Sequence, residues 1–170
     1  MSYKISISDN YGTHLACLIQ AVNKTKGDIL ELGIGIFSTP YLHYQSLLSK
    51  RHLTSYDNDR SWVKRFAAHP FYCHLYQGPY HDLIYIKDWD VALVDHSPSE
   101  RRVVEIKRLV NFAKYIIIHD SNERQERVYH YSQIYPLFKY RTVWDMDDNH
   151  ATVLSNVVDL EDFWKPTSTF

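Results

Sequence analysis

Cysteine is scarce in this chain of 170 residues, and long apolar runs and any large excess of one charge are missing. Its two cysteines, Cys17 and Cys73, form neither a CxxC pair nor a disulfide framework. They read as reduced, buried thiols of a cytoplasmic chain. Uncharged apolar stretches reach only about five residues, too short to cross a bilayer, so no membrane partner is expected. The opening MSYKISISDN has no apolar core or cleavage site of a secretory signal. Nineteen Lys and Arg face twenty Asp and Glu, for a formal charge of −1. That balance argues against a strongly basic nucleic-acid grip. Repeats, linkers and low-complexity tracts are lacking too, which excludes disordered and collagenous classes.

What is present is globular. Hydrophobic residues make up 45% of the chain and charged residues 23%. The length suits one domain over residues 1–170, burying roughly two-thirds of the surface its unfolded chain exposes. Ten histidines make the net charge sensitive to pH near neutrality. The 14 tyrosines suggest aromatic pocket walls or interfaces as well as core.

Periodicity alternates along the chain. Residues 14–24 place Leu15, Leu18, Ile19 and Val22 on one helical face. Residues 28–33 form a short apolar strand running into a glycine turn, and Ser38-Thr39-Pro40 reads as the capped start of a helix. Strands are expected at 52–56, 72–77, 90–94 and 115–118, and helices at 61–68, 99–113 and 123–137. Segments 140–144 and 151–155 alternate as a hairpin. In the helix at 99–113, Val103, Ile106, Leu109, Val110 and Ala113 face inward, and Arg101 pairs with Glu105 on the wet side. Arg101, Arg102, Lys107 and Arg108 read as a solvated face. Strands alternating with helices imply an α/β, doubly wound, mostly parallel sheet with an antiparallel C-terminal hairpin. Ligands of such sheets sit at the carboxyl ends of the strands.

The strand ends carry the chemistry-bearing residues. Glu31-Leu32-Gly33-Ile34-Gly35 is a glycine turn that lets a ligand approach the backbone. The nicotinamide fingerprint would need Gly or Ala where Ser38 stands, so an oxidoreductase is disfavoured. Asp57 ends the second strand and can accept the hydroxyls of a ribose. Asp59 suits the N-cap of the next helix.

With these residues in order, the chain resembles the class I S-adenosylmethionine-dependent methyltransferases. ELGIG is similar to their first motif, SYDND to the second-strand acid, DWDVALVDHSP to the fourth-strand motif and KYIIIHDSN to the fifth. The resemblance runs from about Gly27 to Asn156 and implies a Rossmann-like sheet of seven strands. It implies that Glu31, Gly33 and Gly35 line the methionine part of S-adenosylmethionine and that Ser38 and Thr39 bind its carboxylate. Asp57 would hold the ribose, Asn58 and Gly78 would lie near the adenine, and Asp95 would face the amine or the acceptor. The family's frequent third glycine is Phe37 here, and the third strand leads into Gly78-Pro79-Tyr80 rather than a Gly-Asp pair. At this length the acceptor pocket has to come from short loops, the N-terminal segment or a second subunit, so a homo-oligomer is open.

Asp95-His96 and His119-Asp120 end neighbouring strands. A neutral histidine among them suits the base that a hydroxyl or amine acceptor needs, so Asp95, His96, His119 and Asp120 are the expected catalytic residues. The resemblance includes O-methyltransferases that hold Mg²⁺ with an Asp after strand four and an Asp-Asn pair after strand five. Ser121 replaces that Asn, so Mg²⁺ is possible but not favoured, and no metal ligand is assigned. The expected function is methyl transfer to a small-molecule acceptor. The alternative is a non-catalytic cofactor-binding or assembly module that keeps the fold.

Overall fold

A computed structural model describes residues 9–66, 73–77, 87–146 and 148–166. Its strands are β1 (Ile29–Leu32), β2 (Leu53–Asp57), β3 (Cys73–Gln77), β4 (Trp89–Val94), β5 (Ala113–Ile118), β6 (Tyr140–Trp144) and β7 (Ala151–Ser155). Its helices are α1 (Leu15–Asn23), α2 (Ser38–Ser49), α3 (Arg60–Arg65), α4 (Arg102–Leu109) and α5 (Glu126–Tyr129). The strands form one sheet in the order β3-β2-β1-β4-β5-β7-β6. The first five are mutually parallel, and β7 runs antiparallel between β5 and β6.

Period-two alternation along the central strands builds two apolar layers. On one face Leu30, Leu32, Ala92, Val94, Ile116 and Ile118 meet Val103, Ile106 and Leu109 of α4. On the other, Ile29, Val91, Leu93 and Ile117 meet Cys17, Leu18, Ala21 and Val22 of α1 and Leu42 of α2. Phe163 and Leu160 of the C-terminal segment close that second layer. Strands buried on both faces read as continuous apolar runs, as β1, β4 and β5 do. Strand order reverses between β1 and β4, which puts the ligand crevice over their carboxyl ends.

Three expectations about the helices need correction. The stretch at 99–113 is a 3-10 turn followed by the shorter α4, and Ala113 belongs to β5, where it pairs with Trp89. The Arg101–Glu105 ion pair exists, but Glu105 is fully buried rather than on a wet face. The stretch at 123–137 is broken into short helical turns. His130 adopts a left-handed conformation (φ 54) after α5, and a glutamate clasps the next turn, with Glu126 accepting from the Ser132 N–H. The cap of α2 also differs. Phe37 is the capping residue, and the Ser38 and Thr39 hydroxyls turn inward. Asp59 caps α3 as expected, accepting from the Ser61 N–H.

Candidate active site

The turn after β1 is held from beneath. Glu31 is fully buried and accepts hydrogen bonds from Ser38 Oγ (2.7 Å), Thr39 Oγ1 (2.8 Å) and Ser55 Oγ (2.6 Å). Burial pushes its carboxyl up to about 7, and the three hydroxyls limit that rise. Thr39 Oγ1 in turn accepts from the Gly35 N–H at 2.9 Å. One carboxylate therefore ties the start of α2 to β1 and β2 and shapes the glycine turn. Gly33 has φ +104, and a Cβ there would lie 2.4 Å from the Asp95 carbonyl oxygen. Only glycine lets the end of β1 pass so close to the end of β4.

Asp57 is buried and braces the same turn from β2. Its Oδ2 accepts from the Ile34 N–H (2.9 Å) and its Oδ1 from the Asp59 N–H (2.7 Å). Burial raises this carboxyl, and those N–H groups partly offset the rise. Each oxygen keeps a second lone pair for a ligand hydroxyl. Asn58 is exposed beside it. Gly78 lies outside the described residues.

A cavity of 430 Å³ opens over the switch point. Gly35, Phe37 and Ser38 form one wall, and Asp95, His119 and Asp120 form the opposite one. Tyr11 and His14 come from the N-terminal segment, one of the sources left open by the sequence, and Trp62 from α3. Phe37 packs its ring against Gly12, so the third-glycine position is filled by a contact with the N-terminal segment. Glu31 and Asp57 stand behind this wall rather than in it. His96 is buried and does not line the cavity; burial, then the nearby Arg102 charge, lowers its imidazole to about 3.

The acidic wall is organised by a residue that the sequence reading placed in solvent. Arg102 is only 5% exposed. Its Nη2 lies 2.8 Å from Asp95 Oδ1 and its Nη1 3.4 Å from Asp120 Oδ2. Its Nε donates to the His96 carbonyl (2.9 Å), and its guanidinium stacks over the Tyr129 ring. Tyr129 Oη donates to Asp120 Oδ2 at 2.9 Å. Asp120 sits at φ 56, a conformation that few non-glycine residues adopt and that clusters at functional sites. Burial opposes the charge on Asp95, but the Arg102 charge and then His119 outweigh it and hold the carboxyl well below the usual range.

His119 is pinned at both nitrogens. Nδ1 lies 3.2 Å from Asp95 Oδ2 and Nε2 lies 2.9 Å from Thr13 Oγ1. Burial alone would lower this imidazole, but Asp95 outweighs it and the pKa is raised. His14 stands edge-on to His119, with ring centroids 4.9 Å apart. Burial lowers His14 to about 4, so it is neutral at pH 7. Arg102, His14 and Thr13 were all missed in the sequence. A signal existed: Arg102 lies four and seven residues before the buried Ile106 and Leu109, and His14 four and seven before Leu18 and Ala21.

No protein-family model and no curated protein matches the chain. Solved structures do. A protein designated a caffeoyl-CoA O-methyltransferase from Staphylococcus aureus aligns over 89% of this chain and 86% of its own, with TM-score 0.60 and 16% identity. An O-methyltransferase from Bacillus cereus, solved with S-adenosylhomocysteine, aligns over 88% and 82%, with TM-score 0.62 and 13% identity. The 16S rRNA methylase ArmA aligns over 85% and 82%, with TM-score 0.54 and 13% identity. The fold of this chain is that of the class I S-adenosylmethionine-dependent methyltransferases. Among the described residues, no helix is long and apolar enough to cross a membrane.

Proposed function

We propose that the chain is an S-adenosylmethionine-dependent methyltransferase acting on a small acceptor. One observation carries this reading: the cavity over the β1–β4 switch point brings a glycine turn, a helix start and the Asp95–His119 pair to one space. The site's donors suit the cofactor. Backbone N–H groups at the start of α2 fit a carboxylate, since the first turn of a helix has N–H groups without internal partners. Asp57, behind the cavity wall, braces the turn and keeps a lone pair on each oxygen for ribose hydroxyls. Tyr11, Phe37 and Trp62 give the cavity aromatic faces of the kind that attract a sulfonium. When bound, the cofactor supplies an electrophilic methyl group. Methyl transfer then asks the protein mainly for alignment and for a place to put a proton. His119 is that place. Asp95 stabilises its charged form, and Thr13 fixes the ring against rotation. Asp120, held by Tyr129 and Arg102, adds negative charge beside the pair.

A cavity of this volume lies within the roughly 300–1,000 Å³ typical of small-molecule pockets, which supports a small acceptor over a polymer. The near-neutral chain supports the same choice, although one structural neighbour is an rRNA methylase. The test is transfer of a labelled methyl group from S-adenosylmethionine to a panel of small hydroxyl and amine acceptors. His119→Asn should cut turnover roughly 10²–10⁴-fold while leaving cofactor affinity nearly unchanged. Equal turnover would remove His119 as the base. The Asp95–Arg102 ion pair favours the second reading, a non-catalytic module, because it commits the carboxylate that resembles the cofactor's partner. Cofactor binding without transfer to any acceptor would support that reading.

A further inference from the structure

The wall of the cavity holds a second constellation, which shares Asp95 and His119 with the proposed transfer site and adds His14. His14, Asp95 and His119 each offer one ligand atom, and these atoms all lie within 4.8 Å of one another. His14 Nδ1 is 3.9 Å from Asp95 Oδ2, and His119 Nδ1 is 3.2 Å from the same oxygen. Donors bonded at about 2.0–2.1 Å to a tetrahedral ion stand a little over 3 Å apart, so the triangle closes with small side-chain movements. His14 is 2% exposed and lines the cavity, yet neither ring nitrogen has a hydrogen-bond partner among the described residues. A buried polar group without a partner is costly, and a ligand facing it would remove that cost.

We propose that His14, Asp95 and His119 form a binding site for a zinc-type divalent transition ion. The site stands whether or not the chain transfers methyl groups. Two imidazoles and one carboxylate suit zinc, cobalt(II) or iron(II), whereas Mg²⁺ prefers a cage of oxygens. Among the described residues no such oxygen cage is assembled. Asp120 Oδ2 is taken by Tyr129 and Arg102, and Ser121 Oγ is bonded to Thr152 Oγ1 at 2.8 Å. The supporting groups for the nitrogen-rich site are in place. Thr13 Oγ1 can accept from the Nε2–H of His119, which leaves Nδ1 deprotonated for the ion. Arg102 steadies the other oxygen of Asp95. Such partners orient the ligands of metal sites. Local charge agrees, because Asp95 and Asp120 together exceed the single charge of Arg102. Three protein ligands would leave one position open toward the cavity, as in catalytic zinc sites. The ion and the His119 proton are alternative occupants of the gap between Nδ1 and Oδ2.

The test uses the full chain, tag-free and stripped with a chelator. Cobalt(II) should bind once per chain with intense visible ligand-field bands of a tetrahedral nitrogen-oxygen site, and zinc should displace it. His14→Gln should lose those bands and weaken binding by more than the roughly 10–100-fold expected for an outer partner, while Thr13→Val should fall within that range. Wild-type bands need no variant to fold, and zinc should raise the melting temperature of the wild type by mass action. Absence of the cobalt bands in folded wild type would overturn the site. So would cobalt binding unchanged in folded His14→Gln, which would assign it to other histidines of the chain. Binding of Mg²⁺ alone, abolished by Asp120→Asn, would overturn it in favour of the oxygen cage.

Discussion

Glu31 shows how much one side chain decides at this site. Its folded pKa of about 7 lies above the ordinary 4.5, so between those values the folded chain holds a proton that the unfolded chain has lost. Stability from this group is therefore fully present at low pH and is lost as pH rises through that window. His14 and His96 work in the opposite sense. Their folded values lie below 6.5, so their contribution is lost as pH falls. Glu31→Gln keeps both histidines and fixes the neutral state. Its stability relative to wild type should rise by about 3 kcal/mol between about pH 5 and pH 8, measured by urea unfolding. A constant difference would mean that Glu31 ionises normally. Arg102→Met should cost about 3–5 kcal/mol, because Asp95 and Asp120 lose the buried cation between them. A loss under 1 kcal/mol in the same assay would return Arg102 to the surface role that its sequence suggests. That surface reading arose because Arg101-Arg102 looks like one charged patch. Helical spacing separates them, turning Arg102 onto the stripe of Ile106 and Leu109 while Arg101 stays outside. Long-range partners such as Thr13 for His119 have no local signature at all, since the fold alone brings them together.

Strands were far more legible than helices. The segments at 140–144 and 151–155 are β6 and β7 residue for residue, and β1, β2, β4 and β5 lie within two residues of expectation. Buried strands of Val, Ile and Leu bounded by acids and glycines leave little freedom in their assignment. Helical stretches were overextended because amphipathic spacing continues past the point where the chain must turn back. After α4 the chain must reach β5 to pair Ala113 with Trp89, and after α5 the left-handed His130 redirects it. Between β1 and α2, the glycine turn was expected to let a ligand approach the backbone, and its tightest contact in the structure is with the end of β4. Gly33→Ala places a Cβ against the Asp95 backbone at an unfavourable φ, so it should destabilise the chain by about 2 kcal/mol or more in thermal unfolding. An unaltered melting temperature would show that the β1–β4 crossing is looser than these distances.

At the scale of the whole molecule, sheet order fixes where function is possible. Reversal between β1 and β4 collects Gly35, Asp95 and, from the next strand, His119 and Asp120 around one cavity. That meeting point followed from the strand-end pattern. The contribution of Tyr11 and His14 did not, because nothing local says that a segment before the first helix crosses the carboxyl ends of β4 and β5. Similarity to solved methyltransferases at 16% identity or less establishes the fold and leaves cofactor binding to be measured. The most direct measurement is calorimetric titration of the folded chain with S-adenosylmethionine and S-adenosylhomocysteine. One site of micromolar affinity is expected, weakened by roughly 1–3 kcal/mol in Asp57→Ala as a ligand hydroxyl loses its partner. No binding of either ligand by folded protein would contradict the methyltransferase reading and leave only the fold.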